Sequence, residues 1–383
     1  MNKKVLYQSM FVTFLVLLLG ACKREHFPCD CRNGGVPTVK VFATGLISPR
    51  GLKFGPGGDL YVAEAGPGGA NSSVGQCEQV PFPVGPYTGS TTGGRISKID
   101  RSGNRTTVTD QLPSSSANEI IGGDKEGVSD VEFIGNHLYA LIAGGGCSHG
   151  VPSVPNGIVK VNADGTWSMV ANLSEWLMAH PVKNPEEDDF EPDGTPYSII
   201  NVHDDFYVVE PNHGDFLKVT KDGSISRVAD ISATQGHVVP TAVAYRQGNF
   251  VIGNLHPFPV VPGTSSLYRI TPDGQVSVAL TGFTTILSVT FDQSGRLYVL
   301  ENSTVPGMGP TPGTGDIIRI DLSGKRETIV SNLSLPTAMT FGPDHKLYVS
   351  NKGFGPGSAG SGEILQIDLE NCVQPTSGAN IKD

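Results

Sequence analysis

The chain has no excess of positive charge: 27 Lys and Arg stand against 37 Asp and Glu, a formal net charge of −10 over 383 residues. Nucleic acid and anionic lipid surfaces need basic patches, so neither is an expected partner. After the first 22 residues no further apolar run is long enough to span a bilayer. The sequence contains no His-Glu-x-x-His, no paired Cys-x-x-Cys, no phosphate loop and no Gly-x-Ser-x-Gly. These absences remove the commonest metalloprotease, zinc-module, nucleotide-hydrolysing and serine-hydrolase readings. Nor is there a cluster of Arg, Lys and His of the kind a quinone cofactor would need. A linker is missing too, although 383 residues alone would suggest two or three domains.

A repeat is present instead. Leu52-Lys-Phe54, a Gly-rich turn and Leu60-Tyr61-Val62 recur as Val289 to Val299 and Met339 to Val349, with looser copies at Val131–Tyr139, Ile200–Tyr207 and Val243–Val251. Apolar residues at period two bury one face of a strand, and the Gly, Asp and Asn clusters turn the chain, so each phrase is a hairpin. A second hairpin follows each first one, with inner strands such as Arg95–Ile99, Ile158–Val161 and Ile317–Ile320. Four antiparallel strands repeated six times predict an all-β, six-bladed β-propeller. The last repeat has no fourth strand of its own. Thr38–Leu46 resembles the outer strand Thr328–Leu333, so the N-terminal strand is expected to pair into the last blade and close the ring, shielding its edges.

The expected organisation is a lipoprotein signal peptide over 1–21, a lipidated tether over 22–37 and one propeller domain over 38–383. Lys3 and Lys4 precede an apolar run, and Leu19-Gly20-Ala21-Cys22 reads as a lipobox with Cys22 as the acylated residue. That places the protein in a bacterial cell envelope, on the outer membrane by its Lys23, as a monomer on a lipid anchor. Five other cysteines remain in an oxidising compartment. Cys77 and Cys147 fall in corresponding loops of neighbouring blades and form one candidate disulfide. Cys372 with Cys29 or Cys31 forms another, which would lock the closure.

All long insertions join strands two to three or blade to blade, and therefore emerge on one face: 65–93, 143–156, 255–264, 302–314 and 352–361, with 111–125 and 172–195 between blades. Long loops on a rigid scaffold are where binding residues collect. The residue leaving each second strand on that face is Glu64, Ile142, Glu210, Asn254, Glu301 or Asn351. The carboxylates and amides among them are candidate ligands for calcium or another divalent cation; the alternative is that each ties down its own loop. Nearer the axis, the first strands begin with Arg50, Glu126, Tyr197, His237, Thr241 and Thr337. Arg50, Glu126 and His237 are the candidate anion-binding or acid–base groups. Five histidines, among them His149 and His213, map to the same face as candidate metal ligands. The acidic run Glu186–Glu191, after a short helix near Leu173–His180, reads as a solvated insertion.

Pro49-Arg-Gly-Leu52, Leu60-Tyr-Val-Ala-Glu-Ala65, Thr195-Pro-Tyr-Ser198, Val239-Pro-Thr241, Gly253-Asn-Leu-His-Pro-Phe-Pro259 and Gly282-Phe-Thr-Thr-Ile286 together resemble the ScyD/ScyE family, over a span from about Val39 to Asn351. That family is named for genes beside those for the pigment scytonemin. The resemblance implies the propeller fold and brings no defined reaction or catalytic set. Asn254 and His256 depart from the family pattern, where a carboxylate and a glycine are expected. Two functions follow from the sequence. The first is a lipid-anchored binding or scaffold module for a small molecule, glycan or protein on the long-looped face, with no cofactor assigned. The alternative is a divalent-cation-dependent hydrolase, lactonase or lyase using carboxylates and His on that face.

Overall fold

A computed structural model describes residues 37–121, 123–187, 189–354 and 361–369. The six repeats become six antiparallel sheets. Blade one is built from Pro49–Phe54, Leu60–Glu64, Thr88–Ile99 and Arg105–Ser116, with the short strand Lys125–Glu126 added beyond the fourth. Blades two to five run Val128–Asn172, Ser198–Asp230, Pro240–Phe283 and Ile286–Leu333, four strands each. Blade six has Ala338–Phe341, Leu347–Asn351 and Gly362–Asp368, and its fourth strand is Thr38–Leu46. The expected closure is therefore present: Thr38 pairs with Asp368 and Leu46 with Gly362, with two register shifts between. Residues 1–36 and 370–383, and with them Cys22, Cys29, Cys31 and Cys372, lie outside the described residues.

The repeated Tyr and Phe explain how the blades adhere. Tyr61 of blade one meets Phe133 of blade two edge-on at 5.0 Å, Tyr298 of blade five meets Phe341 of blade six at 5.0 Å, and Tyr348 of blade six meets Phe54 of blade one at 5.0 Å. The Tyr of one blade's second strand thus packs on the Phe of the next blade's first strand. Edge-to-face rings at this spacing add about 1 kcal/mol each beyond burial. Between blades three and four the same duty falls to Tyr207 and Phe250, 4.5 Å apart. The repeated phrase is at once a hairpin and an interblade joint.

Blade one departs from expectation. Residues 88–93 and 111–116, read as loop, extend its second hairpin: Thr88 pairs with Ser116, Gly89 with Ser115 and Ser90 with Ser114. The segment Thr88-Gly-Ser-Thr-Thr-Gly-Gly94 carries no apolar alternation, because close backbone packing holds it in place of side-chain burial. A Cβ on Gly69 would lie 2.0 Å from the backbone of Gly89. Ser114 and Ser115 are fully buried there. The short helix is found at Leu173–Ala179, capped by Asn172, whose side chain accepts from the Glu175 amide.

Candidate functional site

Six residues leave the second strands toward the long-looped face, and the structure does not bring them to one point. Each is fixed within its own blade. Glu64, fully buried, accepts from the Ile47 amide and pairs with Arg95. Glu210 accepts from the Thr195 amide at 2.9 Å, and Glu301 from the Thr284 amide at 2.6 Å. Asn254 donates to the Val238 carbonyl at 2.7 Å, and Asn351 accepts from the Ser334 amide at 3.0 Å. In blade two, where Ile142 has no polar group, Asn156 takes over, donating to the Gly194 carbonyl and accepting from the Gly145 amide. These side chains hold the crossing from the previous blade. His213 joins this layer: burial works to lower its pKa, but the charge and hydrogen bond of Glu210 outweigh it and raise it to about 9.

The residues that begin the first strands do converge. Arg50, Glu126, Tyr197 and Thr241 line one pocket of about 140 Å³ on the long-looped side of the axis. Thr337 sits behind it, donating to the Pro49 carbonyl, while its own carbonyl accepts from Tyr197 Oη at 3.4 Å. His237 is not among the lining residues. Its Nδ1 lies 3.0 Å from Asp189 Oδ1 without hydrogen-bond alignment.

Glu126 also belongs to a second group. Its Oε2 is 2.9 Å from His149 Nε2, which lies 3.9 Å from Glu191 Oε2. Ligand atoms of Glu126, His149 and Glu191 all lie within 4.8 Å of one another, the one such trio of His, Cys and acidic groups among the described residues. The loop that presents His149 is fixed from several sides. The Cys77–Cys147 disulfide, the pairing expected from the loop positions, ties it to blade one. Gly146 turns the chain at φ 96°, and a Cβ there would meet the Asp193 carboxyl at 2.3 Å. Ser148 donates to Asp193 through both its amide and its hydroxyl at 2.7 Å, which leaves its oxygen to accept from His149 Nδ1 at 3.2 Å. Tyr87, 4.7 Å from the His149 ring, donates toward Glu126 and Glu191 at 3.3 and 3.4 Å.

The electrostatics follow from burial. His149 is fully buried and Glu191 is 5 % exposed. Burial and then the charge of Glu126 push the Glu191 carboxyl well up, with His149 opposing. Burial lowers the His149 pKa, yet the hydrogen bond and charge of Glu126, with Glu191 and Asp193, leave it raised. Tyr87 is raised well above its ordinary range by burial and both carboxylates. Glu191 Oε2 is buried with no hydrogen-bond partner. Such an atom, aimed at an imidazole and a second carboxylate, is what a bound cation would satisfy. The Asp193–Ser148 pair fixes Nδ1–H outward and leaves Nε2 toward the carboxylates, the orientation a metal-binding imidazole needs.

Of these residues the sequence offered Glu126 and, among five loop histidines, His149, but neither Glu191 nor Tyr87. His149 was one of five loop histidines, distinguished only by standing two places after Cys147. Glu191 closes an acidic run expected to be solvated. Glu186 and Glu187 are indeed exposed, but Glu191 turns inward behind Phe190, which packs on Val80, Tyr87 and Ala117. Tyr87 carried no sequence signal.

No protein-family model matches the chain, and no curated protein matches it. Solved structures do. A Thermus thermophilus protein described as a putative oxidoreductase (glucose dehydrogenase) aligns with TM-score 0.55 at 16 % identity, covering 87 % of this chain and all of that one. A Bacteroides thetaiotaomicron protein of unknown function aligns with TM-score 0.54 at 10 % identity, over 87 % of this chain and 76 % of that one. A gluconolactonase from Xanthomonas campestris aligns with TM-score 0.51 at 10 % identity, over 87 % and 90 %. At these identities the likeness shows one thing: the chain is a six-bladed β-propeller.

Proposed function

We propose that the protein is a cation-dependent hydrolase, lactonase or lyase of small molecules, acting on the long-looped face. The observation that carries this reading is that Glu126 belongs both to the pocket and to the trio with His149 and Glu191. A divalent cation held by Glu126, His149 and Glu191 would act as a Lewis acid toward a substrate oxygen in the adjoining pocket. An imidazole in the donor set favours zinc or manganese over the calcium that an all-oxygen ring would suggest. Glu126, the most accessible of the three with its side chain 20 % exposed, is the group able to exchange a proton with a ligand in the pocket. Propeller neighbours that include a gluconolactonase are compatible with this chemistry.

The second reading, a binding module without turnover, is supported by the pocket's apolar walls and by full burial of His149. In either case we place the protein in the ScyD/ScyE family on its segment Gly253–Pro259. We also place it on the bacterial outer membrane through acylated Cys22, as a monomer with no nucleic-acid partner. Metal analysis of the purified protein loaded with zinc, manganese or calcium decides between the readings. About one equivalent retained by the wild type and lost in Glu191→Gln, with chelator-sensitive turnover in a screen of lactones, esters and lyase substrates, is expected. No retained metal and no turnover would leave the binding module.

A further inference from the structure

The pocket beside Glu126 holds a second unsatisfied group of opposite charge. Arg50 is 5 % exposed, and its Nη2 donates to the carbonyl of Lys125. Its guanidinium lies 5.0 Å over the Phe354 ring. Nη1 has no hydrogen-bond partner, and among the described residues no carboxylate lies within 4.0 Å of the guanidinium. A buried cation with a free donor is costly unless an anion meets it. The one carboxylate among the lining residues, Glu126, is turned to His149 and makes no ion pair with Arg50, and Ala143, Pro211, Val239, Leu255, Leu287 and Phe354 supply an apolar part of the wall.

We infer that the pocket takes a small monocarboxylate whose carboxylate sits on Nη1 of Arg50 and whose apolar body fills the space between Leu255, Leu287 and Phe354. The donor set selects the anion. One free guanidinium nitrogen suits a flat, singly charged carboxylate. Inorganic phosphate, with four oxygens to satisfy, would leave at least one of them against an apolar wall. Size sets the body. A cavity of about 140 Å³ is well under the 300–1,000 Å³ of sites for drug-sized ligands, so it fits a short aliphatic or single-ring acid, or the acidic end of a longer molecule. The bond from Arg50 to the Lys125 carbonyl fixes the anchor one residue from Glu126. The substrate's reacting group is thereby held beside Glu126, a placement that rests on the reading above; the carboxylate anchor itself does not depend on the metal.

Cyclohexanecarboxylate and butanoate, with their amides and inorganic phosphate as controls, test this by ligand-observed NMR and thermal shift in carboxylate-free buffer. The acids should bind at least about tenfold more tightly than the amides, because the amide loses the charge-assisted contact. Arg50→Gln should abolish the difference, and Arg50→Lys, which keeps the charge, should retain part of it, so a misfolded Gln variant does not decide the matter alone. Equal binding of acid and amide, a difference unchanged in Arg50→Gln, or phosphate bound more tightly than either acid would overturn the inference. The two readings separate cleanly. Metal-free protein that binds the acids and turns nothing over keeps this inference while the enzyme reading falls. Metal-loaded, active protein indifferent to the acids removes this one alone.

Discussion

Loss of the Cys77–Cys147 bond should weaken both the fold and the site, by amounts that follow from its position. The bond joins insertions of neighbouring blades across 70 residues. For a closed loop of that length, the reduction in unfolded-chain entropy corresponds to roughly 4 kcal/mol. In a protein of this size that is a fall in Tm of about 6 °C. Cys147 is one residue before Ser148 and two before His149, so freeing it also loosens the His149–Glu126 contact of 2.9 Å. The paired variant Cys77→Ser/Cys147→Ser is therefore expected to unfold at lower guanidinium concentration and to lose metal affinity. Near-ultraviolet circular dichroism and metal titration measure the two. Other contacts hold the same loop, including the Asn71–Gly89 bridge and the Ser73 hydroxyl on the Cys147 carbonyl. An unchanged unfolding midpoint together with unchanged metal affinity would show that these suffice, and would refute the reasoning.

Two further outcomes test the interior. Burial pushes the Asp130 carboxyl from an ordinary 3.8 to about 7, despite the amides of Ile199 and Val131, because Lys53 offsets little. A raised acid favours the folded state below pH 3.8, and that contribution is lost as pH climbs through 7. It is worth at most about 4 kcal/mol, less because Asp130 borders an axial cavity of about 490 Å³ open to water. Asp130→Asn should flatten the fall in stability between pH 4 and 7 in urea titrations; parallel curves for variant and wild type would contradict this. Arg95→Ala leaves Glu64 buried without its cation and should cost about 3 kcal/mol at pH 7, with much of the loss recovered in Arg95→Ala/Glu64→Gln; guanidinium unfolding midpoints of the two variants measure it.

The ring was legible because its signal is periodic and local. Leu-Tyr-Val after a tight turn specifies a strand face, and the same Tyr and Phe join blade to blade, so one phrase encodes two levels of structure. The closing strand was legible from an unpaired repeat. Arg50, Glu126, Tyr197 and Thr241 could be found because every first strand begins at the axis, a rule that holds for any blade. Glu191 and Tyr87 could not, and His149 could not be told from four other loop histidines. They ride on insertions whose paths depend on one disulfide, on Phe190 packing behind Tyr87, and on the Ser148–Asp193 contact, none of which has a period. The serine-rich extension of blade one escaped for a related reason: glycine packed against backbone leaves no hydrophobic pattern to read.

The closure has a consequence for how the protein is made. The strand Thr38–Leu46 leaves the ribosome before any blade exists, and its partner Gly362–Asp368 follows after five blades and most of the sixth. Until then Leu46 lacks Ile364, Tyr348 and the other blade-six side chains of the core they share. Blade one cannot substitute for them in the sheet: it pairs no strand with Thr38–Leu46, and reaches it through the Arg95 side chain on the Gly45 carbonyl and through shared core packing. Contacts this distant form slowly. The ring thus stays open at this seam until blade six is made, exposed to proteases and aggregation until the last strand arrives.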